Sequence, residues 1–280
     1  HLGNINFESN TSLYYQDLEV PFFNYYMKGT GSDTLSKATI FFSGENKWRR
    51  FTAWPVSNAV TTPVYLQQNG KLSFTPASGR QLSFDSYISD PAKPVPYAEK
   101  VHAERTREYM DDDQRFAARR TDVLTYDTGI LNGDMTVAGP VVADLMVSLS
   151  NTDADFIVKL IDVFPDDAPV NLVTNYPMGG YQMLVRAEVM RGKFRNSFEK
   201  PMPFIPNRPT TVKYTMPDVA HTFKKGHRLM IQIQSTWFPL TDRNPQKFTD
   251  NINKATNADF VKETIKVYHN SSKIILPVIK

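Results

Sequence analysis

Cysteine is absent from the 280 residues. That excludes disulfides, a thiol nucleophile and thiolate metal sites, and it leaves the compartment open. No run of 18 apolar residues occurs, so nothing reads as a membrane-spanning helix. Neither charge sign dominates: 32 Lys and Arg stand against 29 Asp and Glu, and both signs are spread along the chain. A mixed-sign solvated surface is expected, not a nucleic-acid patch, and no RNP-like, zinc-finger or helix-turn-helix pattern speaks for one. The G-x-S-x-G turn that would carry a serine nucleophile is also missing.

What is present describes a folded chain rich in turns. Eighteen Phe, 13 Tyr and 3 Trp supply material for a core, and 19 prolines favour loops over long helices. One helix is expected near the start. From Asn10 to Lys28, Leu13, Tyr14, Leu18, Phe22, Tyr25 and Tyr26 recur at spacings near three and four. Asn10 or Thr11 can cap its start, Gly29 can stop it, and Pro21 is a place for a kink or break. Gly29 to Lys37 reads as a linker. The helix is amphipathic and too short to be stable unpacked, so it is expected to dock on the rest of the chain or on another copy.

After residue 37 the period changes. Candidate strands are 39–42, 63–66, 72–74, 81–88, 123–126, 143–150, 155–164, 182–190, 212–216, 229–234, 264–269 and 273–278. Asn69-Gly70 is a hairpin signal. In 229–234, Leu229, Ile231 and Ile233 face one way, and Gln232 and Gln234 the other. Short strands between Pro, Gly, Asn and Asp turns indicate an antiparallel sandwich or jelly roll. Two long segments, 89–120 and 238–260, are not strands; loops of that length usually carry function or pack on a neighbour.

Candidate chemistry is sparse. The internal histidines His102, His221, His227 and His269 are expected to be satisfied by turn or core hydrogen bonds. Asn151, Asp153 and Asp155 have the spacing that opens a calcium loop, but Phe156 stands where Gly is needed and Asp162 where Glu is needed. A turn held by aspartate side chains is the reading preferred. Asp111, Asp112 and Asp113, among Arg105, Arg107, Arg115, Arg119 and Arg120, are expected to form ion pairs. Trp48, Trp54 and Trp237 would be the aromatics of a sugar site; each lies beside prolines or arginines, which suits domain packing equally.

Several longer runs resemble one family. They include Asp113-Gln114-Arg115-Phe116, Arg119-Arg120-Thr121-Asp122-Val123-Leu124-Thr125-Tyr126, and Thr152-Asp153-Ala154-Asp155-Phe156 with Lys159, Leu160 and Asp162-Val163. Ser89-Asp90-Pro91 with Pro94-Val95-Pro96-Tyr97, Phe223-Lys224-Lys225-Gly226-His227-Arg228, Gln234-Ser235-Thr236-Trp237-Phe238-Pro239 and Asp242-Arg243-Asn244-Pro245-Gln246 add to them. In this order they resemble the C-terminal domain of the X-prolyl dipeptidyl peptidase and cocaine esterase superfamily, most closely the α-amino-acid ester hydrolases and glutaryl-cephalosporin acylase-like proteins.

The resemblance implies an all-β fold: a galactose-binding-like jelly-roll β-sandwich at 37–280, preceded at 1–36 by a terminal helical segment of an α/β-hydrolase domain. It implies a serine hydrolase that works through an acyl-serine, with its hydrolase and cap domains as partners and a small acyl ester or peptide as substrate. No cofactor, metal, nucleic acid or membrane is implied; homo-oligomerisation stays open, and a periplasmic or secreted bacterial setting fits. The family's nucleophile, acid and Gly-Pro-Trp-x-His histidine have no counterpart here, and His1 does not match that histidine. Catalytic residues are therefore expected to be absent from this chain. Tyr97, Arg115, Trp237 and Arg243, in the two long loops, are the candidates for a cleft or domain interface. The alternative is a free-standing carbohydrate- or ligand-binding module.

Overall fold

The computed structural model of the chain describes residues 2–32, 35–76 and 83–279. His1 and the first two residues of the expected 81–88 strand lie outside them. The chain opens with helix α1 (Thr11–Lys28). The Asn10 side chain accepts from the Leu13 N–H, and Gly29 closes the helix at φ 64°. Both caps are those the sequence signals. Pro21 is carried inside the helix without ending it.

Thirteen strands follow among the described residues. A small hairpin, β1 (Ala38–Phe42) with β2 (Lys47–Phe51), comes first. Strand β2 is an addition to the sequence reading, because its Lys-Trp-Arg-Arg-Phe run lacks a polar and apolar alternation. The remaining strands are β3 (Val60–Gln67), β4 (Lys71–Ser73), β5 (Phe84–Ser89), β6 (Leu124–Asp127), β7 (Met135–Leu149), β8 (Asp155–Val163), β9 (Gln182–Arg191), β10 (Thr210–Phe223), β11 (Arg228–Gln234), β12 (Glu263–Tyr268) and β13 (Lys273–Ile279).

They form a β-sandwich. Strand β7 pairs with β10 along one edge and with β12 and β13 along the other; β5 and β3 extend that layer. The second layer runs β6, β11, β8, β9. Strand β4 joins them, pairing with β3 and meeting β6 at Lys71 opposite Asp127. The β3–β4 turn is built as Asn69-Gly70 predicts, with both residues at positive φ. Val64, Leu66, Val141, Leu145, Phe156, Leu160, Val212, Leu229 and Ile231 belong to the core between the layers.

Strands β7 and β10 are far longer than expected. Each holds a proline that sequence reasoning treats as a breaker. Pro140 sits opposite Asp218, and the register slips between Met216 and Asp218, which leaves Pro217 out of the ladder. A bulge thus absorbs the missing N–H groups, and both strands continue through it.

All nine residues of β8 are buried, so its face turned away from the core is covered as well. Helix α1, by contrast, has no buried residue: Tyr14 stacks on Trp48 at 4.4 Å, while Leu13, Phe22 and Tyr25 remain exposed.

Candidate functional site

The outer face of β8, β9 and β11 carries Gln232 and Gln234, which alternation along β11 sets opposite its apolar residues. Lys159 pairs in register with Gln232 of β11, yet Lys159, Gln232 and Gln234 are all fully buried. Their cover is the long segment after β5 together with the loop after β11. Phe238 N–H donates to the Val95 carbonyl and Tyr97 N–H to the Phe238 carbonyl, so the two segments pair like strands for a short distance. The Val95 N–H donates to Thr236 Oγ1 at 2.7 Å.

Tyr97 and Trp237 form the centre of this cover, with Ala98, Ile157, Tyr109 and Leu240 around them. Tyr109 links the two rings, 5.8 Å from Tyr97 and 5.7 Å edge-on from Trp237. Tyr97 Oη accepts from the Thr106 N–H at 2.9 Å. Both residues are at most 5% exposed, so within this chain they are packing residues. Arg243 is exposed; its guanidinium reaches back to the Pro91 carbonyl at 3.0 Å and lies over the Phe260 ring at 5.1 Å. Arg115 opens the short helix α2 (Arg115–Ala118), donating through Nε to Asp113 Oδ2 at 2.6 Å and through Nη1 to the Gly179 carbonyl at 3.1 Å. The structure therefore joins Tyr97 and Trp237 and leaves Arg115 and Arg243 on the cover's accessible parts.

Beneath the cover lies Lys159. Its Nζ donates to Gln114 Oε1 at 2.9 Å and sits 5.0 Å from the centre of the Trp237 ring. Burial pushes its amine down to about 7, partly offset by Asp112. No motif signals this: Lys159 stands between Ile157 and Ile161 on its face of β8, and nothing local shows what will cover it. A lysine whose folded value lies below its unfolded one binds fewer protons in the folded state, so stability rises with pH above about 7. The change in unfolding free energy between pH 7 and 8 should be roughly 1 kcal/mol more positive for the unaltered chain than for Lys159→Met, in which only the other titrating groups remain. Denaturant titrations of both chains at the two pH values measure it; the same pH dependence in chain and variant refutes the assignment.

The acidic runs behave less uniformly than expected. Asp113 pairs with Arg115, but Asp112 accepts the Glu99 N–H at 2.9 Å, and Asp111 has no ion pair among the described residues; burial and its neighbours Asp112 and Glu108 push it up to about 6. Arg120 pairs instead with Asp122. Ion pairing of the whole triplet is thus corrected to a single pair: the Asp112 carboxylate is engaged by the Glu99 N–H, and no described Lys or Arg reaches Asp111. The Asn151 to Asp155 turn is held as expected: Asp153 Oδ1 accepts from Ala154 and Lys193 N–H, and Arg191 grips Asp155 with two 3.0 Å bonds.

His221, His227 and His269 are structural, whereas His102 Nε2 is buried without a well-formed hydrogen bond. Asp162 accepts from His221 Nε2 at 3.2 Å and His227 Nδ1 at 2.8 Å, and His269 Nε2 lies 2.8 Å from Asp85. Ser43 Oγ stands 2.9 Å from His221 Nδ1, which completes a serine, histidine and aspartate series. It is not a catalytic triad. His221 is wholly buried, Asp162 is shared with a second imidazole, and Ser43 also lies within 3.3 Å of the Ala220 carbonyl it can donate to. The series fastens the β1–β2 hairpin to β10.

Residues 24–273 match the family described as the X-Pro dipeptidyl-peptidase C-terminal non-catalytic domain. The chain belongs to that family. Among curated relatives, the cocaine esterase of Rhodococcus sp. (strain MB1 Bresler) is 31% identical over 273 residues, 92% of this chain and 45% of the esterase. Among solved structures, an α-amino acid ester hydrolase is 39% identical at a TM-score of 0.90, covering 99% of this chain and 47% of the hydrolase. An aminopeptidase from the marine sediment archaeon Thaumarchaeota archaeon is 38% identical at a TM-score of 0.88, covering 97% and 45%. The chain thus spans about half the length of the relatives it matches.

Proposed function

We propose that this domain, residues 37–280, is the C-terminal sandwich of a serine acyl hydrolase and that it packs on the hydrolase domain and walls one side of the active-site cleft. The observation that carries the reading is its match, at nearly 40% identity and across almost its whole length, to half of an amino-acid ester hydrolase and half of an aminopeptidase. Residues 1–36 would then be the last helical segment of the hydrolase domain, and the exposed apolar side chains of α1 would be covered by the rest of that domain. The substrate class is an ester or amide of an amino acid, opened through an acyl-serine that the hydrolase domain supplies.

Within this reading Arg115 and Arg243 are the side chains placed to reach a cleft or neighbouring domain, and Tyr97 and Trp237 hold the loops that present them. The test uses the protein in which this chain is joined to a hydrolase domain. Arg115→Ala and Arg243→Ala should change KM for an amino-acid ester, Arg243→Ala with little loss of stability and Arg115→Ala with a measurable one because it leaves buried Asp113 without its partner. Tyr97→Ala and Trp237→Ala should lower stability by about 3–5 kcal/mol as large buried rings are lost. Unchanged kinetics and unchanged melting in all four would overturn the reading. The 280-residue chain alone should not turn over an amino-acid ester or a Gly-Pro anilide; robust turnover would equally defeat it.

A further inference from the structure

A cavity of about 510 Å³ lies between the N-terminal segment, the β1–β2 hairpin and strands β9 and β10. Its volume falls in the range of small-molecule sites, about 300–1,000 Å³. Phe7, Ile40, Phe41, Trp54 and Val185 give it an apolar wall, and Arg186 and Asp218 are its charged members. The two charges do not neutralise each other. Arg186 Nη2 donates to the Asp218 backbone carbonyl at 2.5 Å, whereas the Asp218 carboxylate is taken by the Trp54 indole N–H at 2.6 Å. Arg186 Nε is buried without a partner, and no described carboxylate forms an ion pair with the guanidinium. A half-buried guanidinium is a planar set of five donors suited to a carboxylate, and here only one donor has a protein acceptor.

We propose that this cavity binds a small monoanionic carboxylate with an apolar body, its carboxylate on Arg186 and its body against Phe41 and Trp54. The chemistry selects the class. The apolar wall excludes a small hydrated anion, and Asp218 in the same lining disfavours a doubly charged group such as phosphate. A carboxylate supplies the planar acceptor pair that a guanidinium recognises. Asp218 serves by engaging Trp54, which fixes the indole as wall and keeps the aspartate carboxylate off Arg186.

The 280-residue chain is titrated calorimetrically with 4-phenylbutyrate, its uncharged amide and inorganic phosphate. Saturable binding of the acid is expected, at least tenfold tighter than the amide and with no competition from phosphate. Arg186→Gln should weaken the acid at least tenfold while leaving the amide unchanged; Arg186→Lys should retain an intermediate affinity; Lys213→Gln, elsewhere on β10, should change nothing. Equal binding of acid and amide by the unaltered chain, competition by phosphate, or no saturable binding would overturn the proposal. Because the acid and amide comparison uses the unaltered chain, a folding defect in the Arg186 variants does not blunt it.

Discussion

Asp162→Ala should cost about 3–5 kcal/mol of stability, the loss typical when one member of a buried polar set is removed and its partners are left behind. The carboxylate is 1% exposed and is the shared acceptor of His221 and His227. Burial alone would raise it, yet the hydrogen bonds from the two imidazoles hold it below its ordinary value. Its removal strands His221, which is fully buried, and loosens the tie from His221 through Ser43 to the β1–β2 hairpin. Asp162→Asn keeps an acceptor and should lose less. Because the folded value is depressed, the contribution is present above the unfolded carboxylate value near 3.9 and fades as pH falls below it. Guanidinium unfolding at pH 7 measures the effect; a loss below 1 kcal/mol for the alanine variant would show that the imidazoles find other partners.

The second large effect has the opposite sign. Glu263→Gln should stabilise the chain at neutral pH by on the order of 3 kcal/mol. Glu263 is 2% exposed on β12, and neither carboxyl oxygen has a well-formed hydrogen bond. Burial pushes the group up to about 9; the Asn151 backbone N–H nearby opposes this, and Asp153 and Asp155 reinforce it. A carboxyl raised from 4.5 to about 9 is protonated in the folded chain at pH 7 and ionised in the unfolded one. Its stabilising contribution is complete below pH 4.5 and is lost progressively as pH rises towards 9. Glutamine keeps the shape without the ionisation, so the gain should vanish near pH 4 and grow towards pH 9. Melting temperatures of both chains across that range check it. A difference that does not vary with pH would mean that packing, not ionisation, separates them.

Sequence and structure agree where local chemistry suffices. The caps of α1 were legible because a side-chain acceptor at Asn10 and a left-handed stop at Gly29 are properties of single residues. The turn at Asn69-Gly70 was legible for the same reason. So was the inward face of β11, since period-two alternation sorts Leu229, Ile231 and Ile233 from their polar neighbours. The family, too, was legible, through motifs whose order runs along almost the whole chain.

Other features depend on what comes to lie against a strand, and alternation carries no information about that. Gln232 and Gln234 read as solvent-facing because their period says so; the loops carrying Tyr97 and Trp237 then close over them, and Lys159 beside them loses its water. The prolines of β7 and β10 read as breaks until a bulge in β10 at Pro217 lets both strands run on. Arg186 had no signal at all, since its open guanidinium results from Asp218 turning to Trp54, 164 residues away in sequence. Local pattern thus carries the sandwich class, the caps of α1, the Asn69-Gly70 turn and the family of this chain, but not which strands share a layer. The tertiary structure alone decided which polar groups lie dry, which are paired, and which remain open to a ligand, because burial and pairing are set by contacts between segments that no local pattern encodes.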